Sequence, residues 1–204
     1  MFRIVRFDLL LRFCAISTVV LSMGIYAVTK TFWLPELSLV KVLSISSIVS
    51  SALVVVLLTS FTSRKIWAFL AWFDSSIYPD LNGTWQGEIV LENGNTMVTR
   101  AIIRQTLLST QIDMHGETTK SVTLETTPTI EQGQKKLYYV YRSTPKNPTW
   151  SPYNGSTLFD IRSIETEDGI QKELSGTYYT DRKTIGRVRL RQVSNDISKD
   201  VSFY

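Results

Sequence analysis

At 204 residues the chain has room for one or two domains. Its net charge of +4 comes entirely from residues 1–77, which hold seven Lys and Arg against three Asp and Glu, whereas residues 78–204 hold fifteen of each. The neutral C-terminal part argues against general DNA or RNA binding, and the single cysteine, Cys14, excludes a disulfide within one chain.

Two uncharged apolar runs dominate the N-terminal part. The first extends from Phe13 to Val28, and the second covers the twenty residues from Val42 to Phe61. A helix of twenty residues is about 30 Å long, which is the thickness of the hydrocarbon core of a bilayer. The two runs therefore predict a transmembrane helical hairpin within residues 1–63. A cleaved signal peptide is the alternative for the first run, but no A-x-A-like site follows it.

Positive charges predict the orientation of this hairpin. Arg3, Arg6 and Arg12 flank the first run and Arg64 and Lys65 follow the second, whereas the loop between them holds two lysines. Positively charged flanks tend to stay on the cytoplasmic side of a membrane. We therefore expect a multi-pass membrane protein with both termini and the C-terminal part in the cytoplasm.

Small polar side chains line one flank of the second run. Ser44, Ser47 and Ser51 recur there at helical spacing. Surfaces of small residues let helices pack closely in lipid, so Ser47 and Ser51 are predicted to mediate membrane assembly between chains. The alternative is that they pack against the first helix of the same chain.

Residues 64–77, RKIWAFLAWFDSSI, connect the apolar runs to the C-terminal part. Two basic residues followed by Trp and Phe rings are typical of segments that lie in the lipid headgroup region. We therefore expect an interfacial aromatic linker that ends before Tyr78-Pro79, where helix is disfavoured.

The C-terminal part, residues 78–204, has the pattern of an all-β domain. Its first segment, YPDLNGTWQGEIVLENGN, places Trp85, Ile89 and Leu91 on one strand face and then offers Asn93-Gly94 for a hairpin turn. Seven similar segments follow, at Thr96–Thr106, Leu108–His115, Thr118–Glu131, Lys135–Ser143, Ser156–Thr166, Ile170–Tyr179 and Thr184–Val193. Eight consecutive strands with short turns favour an antiparallel up-and-down β-barrel, with a β-sandwich as the alternative. Such a barrel is wide enough to hold one small ligand.

The sequence gives little support to catalysis. His115 is the only histidine and stands beside Gly116, where a turn is expected, and no Gly-x-Ser-x-Gly elbow, P-loop or dinucleotide fingerprint occurs. We therefore expect a protein that is not an enzyme and holds no metal, with His115 as a solvated turn residue.

Candidate binding residues follow from the alternation of the strands. Tyr139, Tyr141 and Tyr178 each share a strand face with a leucine, so their rings are expected to point into the barrel. Arg142 ends its strand at the long loop and is expected at the barrel mouth, and the pattern leaves the direction of Arg162 open. Tyrosine rings stack on bases and arginine forks onto phosphate, so these five residues form a candidate site for a small anionic nucleotide. The alternative is that the tyrosines form an ordinary core.

Two segments carry a family resemblance. YPDLNGTWQGEI at the start of the β-rich part and LSGTYYTDRKTIGRVRLRQ near its end, preceded by two apolar helices, resemble the two-transmembrane β-barrel effectors of CBASS, a bacterial antiphage signalling system. The resemblance implies that the barrel binds a cyclic dinucleotide made by a CD-NTase, that the chains oligomerise, and that their helices disrupt the inner membrane and kill the infected cell.

This resemblance also sets the expected partners. The cyclic dinucleotide is the activating ligand, no other cofactor is expected, and the remaining partners are the lipid bilayer and further copies of the chain. Two alternatives stay open. One is a membrane-tethered lipocalin-like binding protein for an apolar ligand, and the other is a membrane-anchored hydrolase that depends on His115.

Overall fold

A computed structural model describes residues 7–33, 38–59, 62, 65, 78–106, 109–166 and 169–204. The chain divides into two compact units between residues 75 and 76. The first unit is helical and the second is built of β-strands. Apart from Lys65, the predicted aromatic linker at 64–77 lies outside the described residues.

The helical unit contains α1, Phe7–Val28, and α2, Leu39–Leu58, with a π-helical turn at Thr29–Trp33. Ser22 Oγ of α1 lies 3.1 Å from Ser50 Oγ of α2, and both Ser46 and Ser50 are fully buried. Ser47 and Ser51 are exposed. The serines that pack against α1 are therefore Ser46 and Ser50, and Ser47 and Ser51 lie on the adjacent, exposed face of α2.

Helices α1 and α2 lie within the described parts of the chain. None of the helices in these parts combines the length and the apolar character that crossing a bilayer requires. The transmembrane assignment made from the sequence stays a prediction.

Eight strands form the second unit, and each pairs with its neighbours in chain order. The strands are β1, Gly83–Leu91; β2, Thr96–Gln105; β3, Thr110–Gly116; β4, Thr119–Glu131; β5, Gln134–Pro145; β6, Tyr153–Thr166; β7, Gly169–Thr180; and β8, Ile185–Ser194. All pairs are antiparallel, and β8 pairs with β1 to close the barrel. The eight-stranded up-and-down barrel predicted from the sequence is therefore confirmed, and the sandwich alternative is wrong.

One end of the barrel is closed by the segment that leads into β1. Trp85 is 1% exposed and its Nε1 donates to the main-chain oxygen of Leu81 at 3.0 Å. Gln105 Oε1 accepts from Leu81 N at 2.6 Å, and Gln105 O accepts from Asn82 Nδ2 at 3.0 Å. At Gly83, φ is +135° and a Cβ would lie 2.0 Å from a backbone oxygen, so a glycine is required where the chain enters the barrel. This end is called the closed end below.

The opposite end, called the open end, carries the four turns that join β1 to β2, β3 to β4, β5 to β6 and β7 to β8. They lie at residues 92–95, 117–118, 146–152 and 181–184. The Asn93-Gly94 turn has the predicted positive φ at Gly94, +81°. The loop between β5 and β6 is shorter than the predicted strand bounds imply, because β5 continues to Pro145 and β6 begins at Tyr153.

Candidate ligand cavity

A cavity of about 470 Å³ lies inside the barrel at its open end. Its lining includes side chains from all eight strands and from the turns of the open end. Cavities of roughly 300–1,000 Å³ are typical of sites for small ligands. The space therefore suits one small molecule that enters from the open end.

One wall of the cavity is apolar. It is formed by inward-facing side chains of four adjacent strands, β8, β1, β2 and β3, namely Val188, Ile89, Leu91, Met97 and Met114. Methionine side chains are flexible and polarisable, so they adapt well to the flat face of an aromatic group. We call this surface the apolar wall.

The opposite wall is rich in hydroxyl groups. It is formed by the other four strands, β4 to β7, and includes Thr119, Ser121, Tyr141, Ser143, Thr157 and Tyr178. Burial raises the pKa of the Tyr141 phenol and of the Tyr178 phenol, so both stay neutral at physiological pH and retain a proton to donate. We call this surface the hydroxyl wall.

Tyr139 supports the hydroxyl wall from below. Its ring stacks on that of Tyr141 with the centroids 5.0 Å apart, and its side chain is 1% exposed. The Tyr139 hydroxyl lies 3.3 Å from Ser121 Oγ and donates to the backbone oxygen of Ile112 at 3.2 Å. Tyr139 therefore orders the site without lining it.

Two glycines keep the tyrosine rings out of the cavity. A Cβ at Gly155 of β6 would lie 2.4 Å from the Tyr141 ring, and a Cβ at Gly186 of β8 would lie 2.6 Å from the Tyr178 ring. Because glycine has no side chain, each ring can approach the backbone of the neighbouring strand closely. The size of the cavity thus depends on these two positions.

Among the described residues that line the cavity, Arg182 is the only one with a positive charge and Glu92 the only one with a negative charge. The guanidinium lies over the Tyr153 ring, 4.4 Å from its centroid, and donates to the backbone oxygen of Ser151. Asp181, next to it, accepts from Asn154 N at 2.9 Å and so fixes the turn to β6. A guanidinium has five N–H donors, so this contact leaves donors for an anion at the cavity mouth.

The two arginines predicted from the sequence lie elsewhere. Arg142 is exposed on the outer side of β5, where its Nε donates to Asn154 Oδ1 at 3.3 Å. Arg162 is exposed on the outer face of β6, paired in register with Glu173 and nearer the closed end. The structure therefore brings Tyr139, Tyr141 and Tyr178 together and leaves both arginines outside the cavity.

His115 also lies outside the cavity. It belongs to β3 rather than to a turn, and it faces outward because its neighbours Met114 and Gly116 face the cavity. Its Nδ1 is buried. The expectation of a solvated turn residue was wrong, since β3 extends one residue beyond His115.

The fold and the cavity define a class: a closed antiparallel β-barrel with an internal cavity that opens at one end. Residues 76–192 match the family model described as Cap15, cyclic dinucleotide receptor domain, and the chain belongs to this family. The match spans β1 to β7 and most of β8. No curated protein matches the chain. Family membership confirms the resemblance to receptors of cyclic-nucleotide antiphage signalling as far as the barrel is concerned.

Proposed function

We propose that the cavity binds one cyclic dinucleotide and that the chain is the effector of an antiphage signalling system. The observation that carries this proposal is the division of the cavity into an apolar wall and a hydroxyl wall, with Arg182 at the mouth. A cyclic dinucleotide has two flat bases and a polar sugar-phosphate ring with two anionic phosphates. Its bases match the apolar wall, its ring matches the hydroxyl wall, and a phosphate matches Arg182.

An apolar ligand, as in a lipocalin-like carrier, fits this cavity less well. It would cover the apolar wall but would bury the hydroxyl wall without offering it hydrogen-bond partners. Burying polar groups without hydrogen bonds is costly. The hydroxyl wall therefore favours the nucleotide over the carrier function.

Arg182→Ala should weaken the binding of a cyclic dinucleotide by about tenfold to a hundredfold, the value of a hydrogen bond to a charged group. The measurement is calorimetric titration of the full chain in detergent with a panel of 3′,3′-linked and 2′,3′-linked cyclic dinucleotides. Arg187→Ala, at an exposed position on the outer face of β8, is the matched control and should leave Kd unchanged.

Absence of binding by the wild-type chain across this panel would reject the proposed function. Linear dinucleotides of the same bases serve as the ligand control. Arg162→Ala decides between the sequence-based prediction, which expects weaker binding, and the outward position of its side chain, which expects no change.

We further propose that the chain acts at the bacterial inner membrane without catalysing a reaction. In this proposal α1 and α2 insert into the bilayer, the barrel is cytoplasmic, and bound ligand drives oligomerisation that disrupts the membrane and kills the infected cell. Support comes from the uncharged runs of the sequence and from exposed apolar side chains on both helices, such as Met23 at 66% and Ile48 at 70%. Exposed apolar surface on this scale is typical of helices covered by lipid or by a partner.

Replacing Ser47 and Ser51 with Leu should reduce ligand-induced dye release from vesicles to the ligand-free level. Both serines are exposed beside the α1–α2 contact, so larger side chains would prevent close approach of helices from other chains. The full chain is reconstituted in vesicles of bacterial lipid, and dye release is followed after ligand addition.

Replacing the same two serines with Ala keeps this helix face small and should preserve dye release. If the Leu variant still releases dye with unchanged ligand affinity, Ser47 and Ser51 do not form the assembly surface.

A further inference from the structure

The segment after β8, residues 195–204, runs along the outside of the barrel and is called the tail here. β8 ends at Ser194 beside Thr84, at the closed end, whereas Tyr204 contacts Lys120 and Lys146 near the open end. Val201 within the tail is 6% exposed. The tail follows the residues matched by the family model, which end at 192.

The tail covers a row of basic side chains. Arg100 of β2, His115 of β3 and Lys120 of β4 are consecutive register partners on the outer face of the barrel. The Arg100 guanidinium lies 4.4 Å from the centroid of the Phe203 ring. Lys120 Nζ lies 4.3 Å from the centroid of the Tyr204 ring and donates to the backbone oxygen of Tyr204 at 2.6 Å. Cation–π contacts and a charged hydrogen bond therefore hold the tail in place.

Tyr204 joins two elements of the cavity mouth. Lys120 directly follows Thr119, which lines the cavity. Lys146 begins the loop that carries the cavity residue Trp150, and its Nζ lies 4.8 Å from the centroid of the Tyr204 ring. The backbone nitrogen of Lys146 also donates to Thr118 O at 2.7 Å. The ring thus sits between the start of β4 and the loop at 146–152.

We propose that the tail is a strap that holds the loop at 146–152 against β4 and thereby limits the exchange of ligand through the cavity mouth. The effect of the strap on ligand exchange rests on the proposed ligand site. The strap itself is a property of the unliganded barrel. Displacing Tyr204 frees the loop, widens the mouth and lets ligand enter and leave faster.

The surroundings of His115 favour its neutral form. Its buried Nδ1 has no hydrogen-bond partner among the residues the structure describes. Burial and the charge of Lys120 lower the pKa of His115, while Asp113 and Asp200 of the tail act in the opposite direction, and Arg100 adjoins it from β2. A neutral His115 adds no positive charge to the row of basic side chains between Arg100 and Lys120.

Tyr204→Ala in the full chain should increase the association and dissociation rates of a cyclic dinucleotide about tenfold each, because two cation–π contacts are lost, and should change Kd much less. The rates are measured by stopped-flow fluorescence with the tightest-binding cyclic dinucleotide of the panel. Tyr179→Ala, an exposed tyrosine on the outer face of β7, is the matched control and should leave both rates unchanged.

A second measurement does not depend on the ligand. Hydrogen exchange of the amides at 146–152 should be faster in unliganded Tyr204→Ala than in the wild type. If Tyr204→Ala leaves both the amide exchange and the ligand-binding rates unchanged, the strap proposal is wrong. It is also wrong if the dissociation rate and Kd change while the association rate stays constant. If no cyclic dinucleotide binds the wild type, the proposed function fails, while faster exchange in the variant would still support the strap.

Discussion

Trp85→Ala is expected to lower the free energy of unfolding of the barrel by about 3–5 kcal/mol. The indole is 1% exposed and its Nε1 donates to the Leu81 oxygen, so truncation leaves a large cavity at the closed end and an unpaired buried carbonyl. A loss of this size is a large fraction of the stability of an ordinary domain. Urea unfolding of the full chain in detergent, followed by far-UV circular dichroism, measures it.

Trp150→Ala is the matched control for this substitution. Trp150 is 52% exposed at the cavity mouth, so its loss should change stability by less than about 0.5 kcal/mol. Since Trp150 lines the cavity, the substitution should instead weaken ligand binding. Equal destabilisation by the two variants would contradict the assignment of Trp85 to the closure of the barrel.

Gly155→Val is expected to weaken cyclic dinucleotide binding by about tenfold or more. A Cβ at this position would lie 2.4 Å from Tyr141, which lines the cavity and stacks on the Tyr139 ring. We therefore expect the Tyr141 ring to move into the space proposed for the ligand. Valine itself suits a β-strand, so the strand should persist. Calorimetric titration gives the affinity, and circular dichroism checks that the barrel remains folded.

Ser156→Val separates this effect from the general effect of valine in β6. Ser156 is the next residue and is exposed on the outer face, so its replacement should leave Kd unchanged. Wild-type affinity of a folded Gly155→Val variant would show that the position of the Tyr141 ring does not set the size of the site.

The strand pattern of the sequence predicted much of the barrel because each strand alternates clearly. Leu137 and Leu174 mark the inner faces of β5 and β7, and Tyr139 and Tyr178 follow at even spacing, so their inward direction could be read directly. Arg162 could not be placed in this way. Its strand face also carries an aspartate and two aliphatic residues. The exposure of Arg162, with Thr157 and Phe159 buried on the other face of β6, shows that this face is the outer one.

Arg182 could not be found by alternation, because it belongs to a turn. In the sequence it stands in TDRKT, which looks like an ordinary charged turn. Its position depends on the hydrogen bond between Asn154 and Asp181, residues 27 positions apart in the chain. The helical unit shows a similar limit, because the buried serines of α2 are Ser46 and Ser50 rather than Ser47 and Ser51. Small residues repeat on both flanks of the helix, so the repeat alone does not show which flank faces α1.

The closed and open ends of the barrel divide two tasks between separate parts of the sequence. Trp85 and its partners hold the barrel shut at one end, while the four turns of the open end surround the mouth of the cavity. Turns can be exchanged with little effect on the strands that carry them. The barrel is thus a suitable scaffold for biosensor engineering, in which new turn sequences are selected for new ligands while the residues of the closed end are kept.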